Sequence, residues 1–76
     1  MYSIKLDKRL KELRTEKGFT QEEMANILNL AYRSYQNYEA GVSMPNTKIL
    51  FNMAIYFNVS IDYLVGRSNI RELKIN

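Results

Sequence analysis

The chain has 76 residues, of which 46% are hydrophobic and 25% charged, and these proportions suit one small globular domain with a single core rather than a disordered segment. It contains no cysteine and no histidine, which excludes disulfides and thiolate metal sites and removes the commonest metal ligand and general base. No enzyme activity, metal or cofactor is therefore expected. The apolar runs are too short for a membrane-spanning helix of roughly 20 residues, and the N-terminus has no hydrophobic signal region, so a cytoplasmic location is expected.

The net charge of +3 invites a nucleic-acid partner, but the distribution of charge leaves the question open. Residues 1–20 hold six basic and three acidic side chains, residues 21–66 hold two and four, and residues 67–76 hold three and one. The basic excess thus lies at the two ends of the chain. Lysines of the first helix either bind phosphate or simply form its solvated face, and composition does not decide between these roles.

Two helices are predicted in the first thirty residues. An amphipathic helix begins with Asp7 as its cap and stops at Gly18, with leucines at every third or fourth position. The second helix begins at Thr20, which stands three residues before Glu23 as in a capping box. It ends at Asn29, because asparagine tolerates the left-handed conformation better than most residues.

The third helix is predicted over residues 32–40, ends at Gly41 and has two chemically different faces. At about 100° per residue, Tyr35 and Tyr38 project to one side of this helix. The other side carries Arg33, Gln36, Asn37 and Ala40, and Tyr32 falls between the two faces. The spacing alone does not say which face meets the rest of the protein.

Two further helices complete the chain. The fourth covers residues 47–57 after a capping Asn46 and is the most apolar of the five. The fifth covers residues 61–65, between a capping Ser60 and Gly66. With no persuasive strand, the pattern predicts an all-α domain of five short helices around one core.

The connection between the second and third helices is unusually short. Only Asn29, Leu30 and Ala31 separate them, too few for an antiparallel hairpin but suitable for two helices that cross at a steep angle. The small side chain of Ala25 allows the third helix to approach the second closely. Leu30 is expected inside the corner between them.

This arrangement resembles the helix-turn-helix of the Cro and phage-repressor family, also called the XRE type, with its lambda-repressor-like five-helix fold. The resemblance covers roughly Leu10 to Arg67 and rests on RLKELRTEKGFTQEEMA, NYEAG, MPNTKIL and FNVSIDYLVG. The chain departs from the family pattern at Asn29, where glycine is usual, at Ala31, where a hydroxyl cap is usual, and at Tyr35, where an aliphatic residue is usual.

The resemblance implies a role for each face of the third helix. In the family this helix lies in the DNA major groove with its inner face on the other helices, so Tyr35 and Tyr38 are expected in the core. Base contacts are then expected from the outer residues Tyr32, Arg33, Gln36 and Asn37. An arginine suits guanine and a carboxamide suits adenine, whereas Tyr32 either contacts a thymine methyl or a phosphate or merely covers the start of the helix.

Further roles follow from the same resemblance. DNA phosphates are expected at the starts of the second and fourth helices, on Thr20, Gln21, Asn46 and Lys48. The alternative for Gln21 is simply an exposed glutamine at a helix start. A buried structural salt bridge is expected between Arg14 on the first helix and Glu39 on the third.

The function implied is a sequence-specific transcriptional regulator of bacterial or phage origin, usually a repressor, which binds a pseudo-palindromic operator in double-stranded DNA as a homodimer. The domain is expected to cover residues 1–66. Dimer contacts are expected from residues 59–64 or from the tail, residues 67–76, where the apolar candidates are Ile70, Leu73 and Ile75. The alternative for the tail is a frayed basic end.

A competing function keeps the fold but changes the partner. The chain is then an antitoxin or an accessory interaction module whose important partner is a protein such as a toxin or an antirepressor. Exposed tyrosines suit a protein interface, and the candidates are Tyr2, Tyr56 and Tyr63. Substitution of Arg33 and Asn37 separates the two hypotheses, because it removes operator binding under the first and spares partner capture under the second.

Overall fold

The structure, a computed structural model, describes residues 4–72 and confirms the predicted all-α fold. Within that range the elements are α1 (Leu6–Glu16), α2 (Gln21–Ile27), α3 (Tyr32–Ala40), α4 (Thr47–Phe57) and α5 (Ile61–Val65). Helix α3 packs against α1 and α2, and α5 packs against α1 and α4. None of these helices combines the length and apolar character that crossing a membrane requires.

Three of the helices begin with the predicted side-chain caps. Thr20 Oγ1 accepts the Glu23 backbone N–H at 3.1 Å while Glu23 Oε1 accepts the Thr20 N–H at 2.8 Å, which completes the capping box of α2. The third N–H of α4 donates to Asn46 Oδ1, and the third N–H of α5 donates to Ser60 Oγ, both at 2.9 Å. Each cap satisfies a backbone donor that has no partner inside its helix.

The prediction that Asp7 caps α1 is wrong. The helix begins at Leu6, and Lys5 at the N-cap position makes no side-chain capping hydrogen bond. The backbone N–H of Lys5 donates instead to the Val65 carbonyl at 3.0 Å, so the start of α1 is set by its attachment to the end of α5. Asp7 lies in the first turn, where a carboxylate interacts favourably with the helix dipole.

A left-handed residue follows each of the five helices, and Gly18 after α1 and Gly66 after α5 lie where the sequence predicts them. Asn29 and Gly41 have φ angles of 57° and 75°, which confirms the conformations predicted after α2 and α3. Asn58 has a φ of 56° and ends α4 in the same way, although no turn is predicted there. Asparagine and glycine adopt this conformation at lower cost than other residues, so each position favours a sharp change of chain direction.

The core is apolar and draws on all five helices. Its buried side chains are Leu6, Leu10, Leu13, Met24, Ala25, Tyr35, Met53, Ala54, Phe57, Val59, Tyr63 and Leu64. Around them pack half-buried residues that include Leu30, at the predicted corner, and Tyr38. Tyr35 is entirely buried, so the tyrosine face of α3 is the inner one.

Three side chains of residues 59–64, a segment predicted for dimer contacts, are buried in the core of the domain itself. Val59 and Leu64 are 2% and 0% exposed because α5 packs into the core between α1 and α4. Tyr63 is likewise 5% exposed and is not the surface aromatic that was expected. These side chains hold the domain together and are not available to a second molecule.

The other residues named for protein contacts have mixed outcomes. Ile70 is 54% exposed. Tyr56 is half-buried, with its ring edge-on to that of the neighbouring Phe57 at a centroid distance of 5.3 Å. Tyr2, Leu73 and Ile75 lie outside the described residues.

Arg9 on α1 is a buried cation that helical periodicity does not single out. It is 8% exposed. Its Nη1 donates to the carbonyls of Tyr63 and Ser68 at 3.1 and 3.3 Å, and its Nη2 donates to Asn69 Oδ1 at 3.0 Å. The guanidinium carbon also lies 4.0 Å from the centroid of the Tyr63 ring, in cation–π geometry. Arg9 therefore joins α1 both to α5 and to the chain that follows it.

Residues 67–72 fold back onto the domain. Arg71 donates through Nη1 and Nη2 to the two carboxylate oxygens of Glu16 at 2.9 and 2.6 Å, and through Nε to the Tyr63 hydroxyl at 3.0 Å. The Ser60 N–H donates to the Arg71 carbonyl at 2.8 Å. The folded part of the chain thus extends beyond the predicted domain boundary.

Arg9→Ala is expected to lower the free energy of unfolding by roughly 2 to 3 kcal/mol, because it removes a cation–π contact and leaves buried carbonyls without their charged donor. Urea denaturation measures this change. Trypsin cleavage after Arg67 should also accelerate, since the segment after α5 loses its anchor. Lys8→Ala, an exposed neighbour on the same helix, is the control and should change stability by under about 0.5 kcal/mol. Equal stability of the two variants would contradict the anchoring role.

Candidate functional site

The outward side of α3 carries the polar residues that the sequence places there. Tyr32 is 44% exposed, Arg33 is exposed, and Gln36 and Asn37 are half-buried. Tyr35, on the opposite side, has no exposed surface. A single nine-residue helix therefore presents one buried face to the other helices and one hydrogen-bonding face to solvent.

The turn before α3 fixes how this helix leaves α2. Ala25 is 1% exposed, and its carbonyl accepts the Leu30 N–H at 2.8 Å across the turn. Asn29 supplies the left-handed step of the turn. Ala31 precedes α3 in an extended conformation and makes no side-chain capping hydrogen bond. The connection is thus held by close packing and a backbone hydrogen bond rather than by a side-chain cap on α3.

The residues predicted to contact phosphate lie at two helix starts. Thr20 and Gln21 begin α2, and Gln21 is tied to α3 because its Nε2 donates to Glu39 Oε1 at 3.1 Å. Asn46 and Lys48 begin α4 and are exposed, but within residues 4–72 neither makes a hydrogen bond to α2 or α3. Of these four residues, Gln21 is therefore the one that is hydrogen-bonded to α3, whereas Asn46 and Lys48 lie beyond the loop that follows α3.

The Glu39 carboxylate is the centre of a buried network that joins α1, α2 and α3. Arg14 donates through Nε to Oε2 at 2.6 Å and through Nη2 to Oε1 at 3.0 Å. The Tyr35 hydroxyl also donates to Oε2, and Gln21 completes the set at Oε1. The side chains of Arg14 and Glu39 are 12% and 3% exposed. Arg14 Nη1 further donates to the Phe19 carbonyl at 2.8 Å and so holds the chain before α2.

The hydrogen bonds and the burial of this network determine whether Glu39 and Tyr35 are ionised. Burial raises the pKa of Glu39, but the hydrogen bonds from Arg14, Tyr35 and Gln21 together outweigh burial and hold its pKa below the ordinary value. Burial, and then the hydrogen bond to Glu39, raise the pKa of the Tyr35 hydroxyl. Glu39 is therefore an ionised acceptor and Tyr35 a neutral donor at neutral pH.

Only the Arg14–Glu39 pair in this network is anticipated from the sequence. The contributions of Tyr35 and Gln21 are missed, although a Tyr and a Glu four residues apart on one helix are neighbours by spacing. No such local signal exists for Gln21, since it approaches Glu39 only through the packing of α2 on α3.

The exposed groups are suited to recognition by hydrogen bonding. The face of α3 offers a guanidinium, two carboxamides and a phenol, and the starts of α2 and α4 offer backbone N–H groups with two further carboxamides and an ammonium. Within residues 4–72 there is also no cluster of three or more His, Cys, Asp or Glu side chains that would hold a metal ion. A short connection, a buried inner face and a polar outer face define a helix-turn-helix of the kind that inserts its second helix into DNA.

Comparison with known proteins agrees with this class. Residues 10–64 match the helix-turn-helix family. The HTH-type transcriptional regulator ImmR of Bacillus subtilis (strain 168) is 40% identical over 67 residues, which are 88% of this chain and 53% of that protein. The cryptic phage CTXphi transcriptional repressor RstR of Vibrio cholerae is 34% identical over 64 residues, 84% of this chain and 57% of that protein.

A solved structure shows the same fold. The crystal structure of a transcriptional regulator from Listeria innocua superposes with a TM-score of 0.80 at 29% identity, covering 99% of this chain and 68% of that one. The chain belongs to the helix-turn-helix family of the Cro/C1, or XRE, type. It carries the DNA-binding domain of a family of transcriptional regulators, and it spans about half the length of the curated relatives it matches.

Arg14→Ala is expected to lower the free energy of unfolding by about 3 kcal/mol, because Glu39 stays buried and loses its only cationic partner in the network. Chemical denaturation at neutral pH measures the loss. Asp62→Asn is the control, since Asp62 and Arg67 form an exposed pair at 3.8 Å, and it should change stability by under about 1 kcal/mol. If Arg14→Ala left the free energy of unfolding unchanged, the Glu39 network would not be stabilising the fold.

Proposed function

We propose that the chain is the DNA-binding part of a sequence-specific transcriptional regulator, which binds a pseudo-palindromic operator as a homodimer with α3 in the major groove. The observation that carries the proposal is the division of α3 into an entirely buried Tyr35 on one side and the exposed or half-exposed Arg33, Gln36 and Asn37 on the other. A helix held by its inner face and free to hydrogen-bond through its outer face is what major-groove reading requires.

The outer face has the chemistry to distinguish bases. Arg33 has donors for guanine O6 and N7, and Gln36 or Asn37 can both donate to and accept from adenine N6 and N7. Each bidentate pair discriminates against a wrong base by about 1 to 3 kcal/mol. Tyr32, beside this face and 44% exposed, is assigned to a thymine methyl or to the adjacent backbone.

Phosphate contacts are assigned to the starts of α2 and α4. Thr20 and Gln21 accompany the free N–H groups of α2, and Asn46 and Lys48 accompany those of α4. The Asn46 cap uses Oδ1, which spares its amide N–H groups for a phosphate oxygen. Because three of these four side chains are neutral, we expect binding to weaken only modestly with salt.

The homodimer follows from the expected symmetry of the operator, whose half-sites lie about 34 to 36 Å apart or at a multiple of that spacing. Since Val59, Tyr63 and Leu64 belong to the core, we assign the contact between the two copies to the tail instead. Ile70 is the exposed apolar residue of the tail that the structure describes. Repression by occupying the operator, in the cytoplasm, is the outcome we propose, in keeping with RstR, which is a transcriptional repressor.

A protein-interaction function is the second candidate, and one surface favours it. Phe51 and Ile55, one turn apart on α4, are 51% and 69% exposed and form an apolar strip on the side away from the core. Aromatic side chains such as Phe51 are enriched in protein interfaces, and the buried centre of an interface is more apolar than the rest of the surface. The strip is apolar and lies on α4, whereas the residues proposed to read bases are polar and lie on α3. Substitutions on one helix therefore test one function and leave the other surface intact.

Selection from a random duplex library at moderate salt is the test of the proposed function. The wild-type chain is expected to enrich an inverted repeat, and the Arg33→Ala, Asn37→Ala double variant to lose it. Each lost bidentate contact should weaken operator binding roughly 10- to 100-fold.

The matched control is the Lys11→Ala, Asn52→Ala double variant, which also removes one cation and one carboxamide, at exposed positions of α1 and α4. It should enrich the same repeat as the wild type. Enrichment of that repeat by the Arg33→Ala, Asn37→Ala variant would contradict base reading by α3. Failure of the wild type to enrich any sequence would instead favour the protein-interaction function.

A further inference from the structure

The Tyr35 hydroxyl has a function beyond packing, and it concerns the start of α2. We propose that Tyr35 is a positioning residue for the DNA backbone: its hydroxyl fixes the Glu39 carboxylate, and the carboxylate in turn orients the Gln21 amide toward a phosphate. This inference rests on the proposed function, because it assigns a phosphate to Gln21. It adds that a wholly buried residue with no access to DNA sets the geometry of that contact.

The first step is the saturation of the carboxylate. Each carboxylate oxygen has two acceptor sites. Oε2 accepts from Arg14 Nε at 2.6 Å and from the Tyr35 hydroxyl, and Oε1 accepts from Arg14 Nη2 at 3.0 Å and from Gln21 Nε2 at 3.1 Å. All four sites are therefore in use. Because the Tyr35 hydroxyl fills the second site on Oε2, the remaining site on Oε1 is the only one open to Gln21.

The second step is the orientation of the amide. A carboxylate only accepts hydrogen bonds, so Gln21 must turn its nitrogen, and not its oxygen, toward Glu39. One of the two N–H groups on Nε2 is used in this contact at 3.1 Å. The second N–H remains for another acceptor, and Gln21 is half-exposed at the first position of α2. A neutral side-chain donor held in one orientation suits a phosphate oxygen.

The third step is the rigidity of Tyr35. Its side chain has 0% exposure and lies in the apolar core, so its ring has no room to turn away. It stands one turn before Glu39 on α3, which places the hydroxyl beside the carboxylate. Without the hydroxyl, Oε2 has a vacant acceptor site, and Gln21 Nε2 is free to move between the two oxygens.

The test is Tyr35→Phe, which keeps the ring in the core and deletes only the hydroxyl. Fluorescence anisotropy measures the Kd of the operator duplex and of an unrelated duplex of equal length, at a temperature where the variants are folded. We expect both Kd values to rise about three- to tenfold, and to rise alike, because a phosphate contact carries no sequence information. Gln21→Ala should weaken binding severalfold in the wild-type background and hardly at all in the Tyr35→Phe background.

Tyr38→Phe is the matched control, since it makes the same change one turn along α3 at a residue that takes no part in the described hydrogen bonds to Glu39. It should leave both Kd values unchanged. A purely structural Tyr35 would lower the melting temperature of Tyr35→Phe, leave its Kd values unchanged and leave the cost of Gln21→Ala equal in both backgrounds. That outcome overturns the proposal.

A measurement on the free protein separates this inference from the proposed function. The side-chain amide resonances of Gln21, assigned with Gln21→Ala, should shift in Tyr35→Phe toward those of a solvent-exposed glutamine, and should not shift in Tyr38→Phe. Unmoved resonances overturn the positioning role even where DNA binding is established. If the wild type binds no duplex, the proposed function fails, while a shift of the Gln21 resonances would still support control of the amide by Tyr35.

Discussion

The hydrogen-bonded pairing of the buried Glu39 carboxylate with its donors is the interaction that joins the first three helices. Removing a carboxylate from water is costly, and the cost is offset here by donors from three helices: Arg14 of α1, Gln21 of α2 and Tyr35 of α3 itself. Since each donor has a fixed geometry, α3 can occupy only a narrow range of positions against its neighbours. Together with the packing of Ala25 and Tyr35, this network fixes which side of α3 faces solvent.

Helix α1 connects this network to the other end of the molecule. Arg14 meets α3, while Arg9, on the same helix, meets Tyr63 of α5 and the chain beyond it. Arg71 contacts the same tyrosine, with its guanidinium carbon 5.2 Å from the Tyr63 ring centroid. Two arginines on one tyrosine ring thus hold residues 67–72 against the domain. The fold of this small protein relies on buried and half-buried cations as well as on its apolar core.

The ends of most helices could be predicted from neighbouring residues in the sequence, whereas burial that depends on contacts between distant segments could not. The caps at Thr20, Asn46 and Ser60 and the left-handed turn at Asn29 are encoded within a few residues, so the sequence reveals them. The burial of Tyr63 is not encoded in this way, since a five-residue helix has too few positions to show a periodic apolar face.

Arg9 and Tyr35 show the same limit at the level of side chains. Arg9 looks like one more surface cation of a basic helix until α5 and the chain after it are in place. The family resemblance implies that Tyr35 lies on the inner face of α3. It does not imply the hydrogen bond from the Tyr35 hydroxyl to Glu39, because the family usually has an aliphatic residue at this position.

The central claim is that the buried network holds α3 with its polar face toward DNA, and the most direct test is a titration of the ¹⁵N-labelled chain with the duplex that it selects, followed by NMR. The account predicts that the largest shifts fall on Arg33, Gln36 and Asn37 and at the starts of α2 and α4, whereas shifts concentrated on the exposed strip of α4, with α3 unmoved, would contradict it.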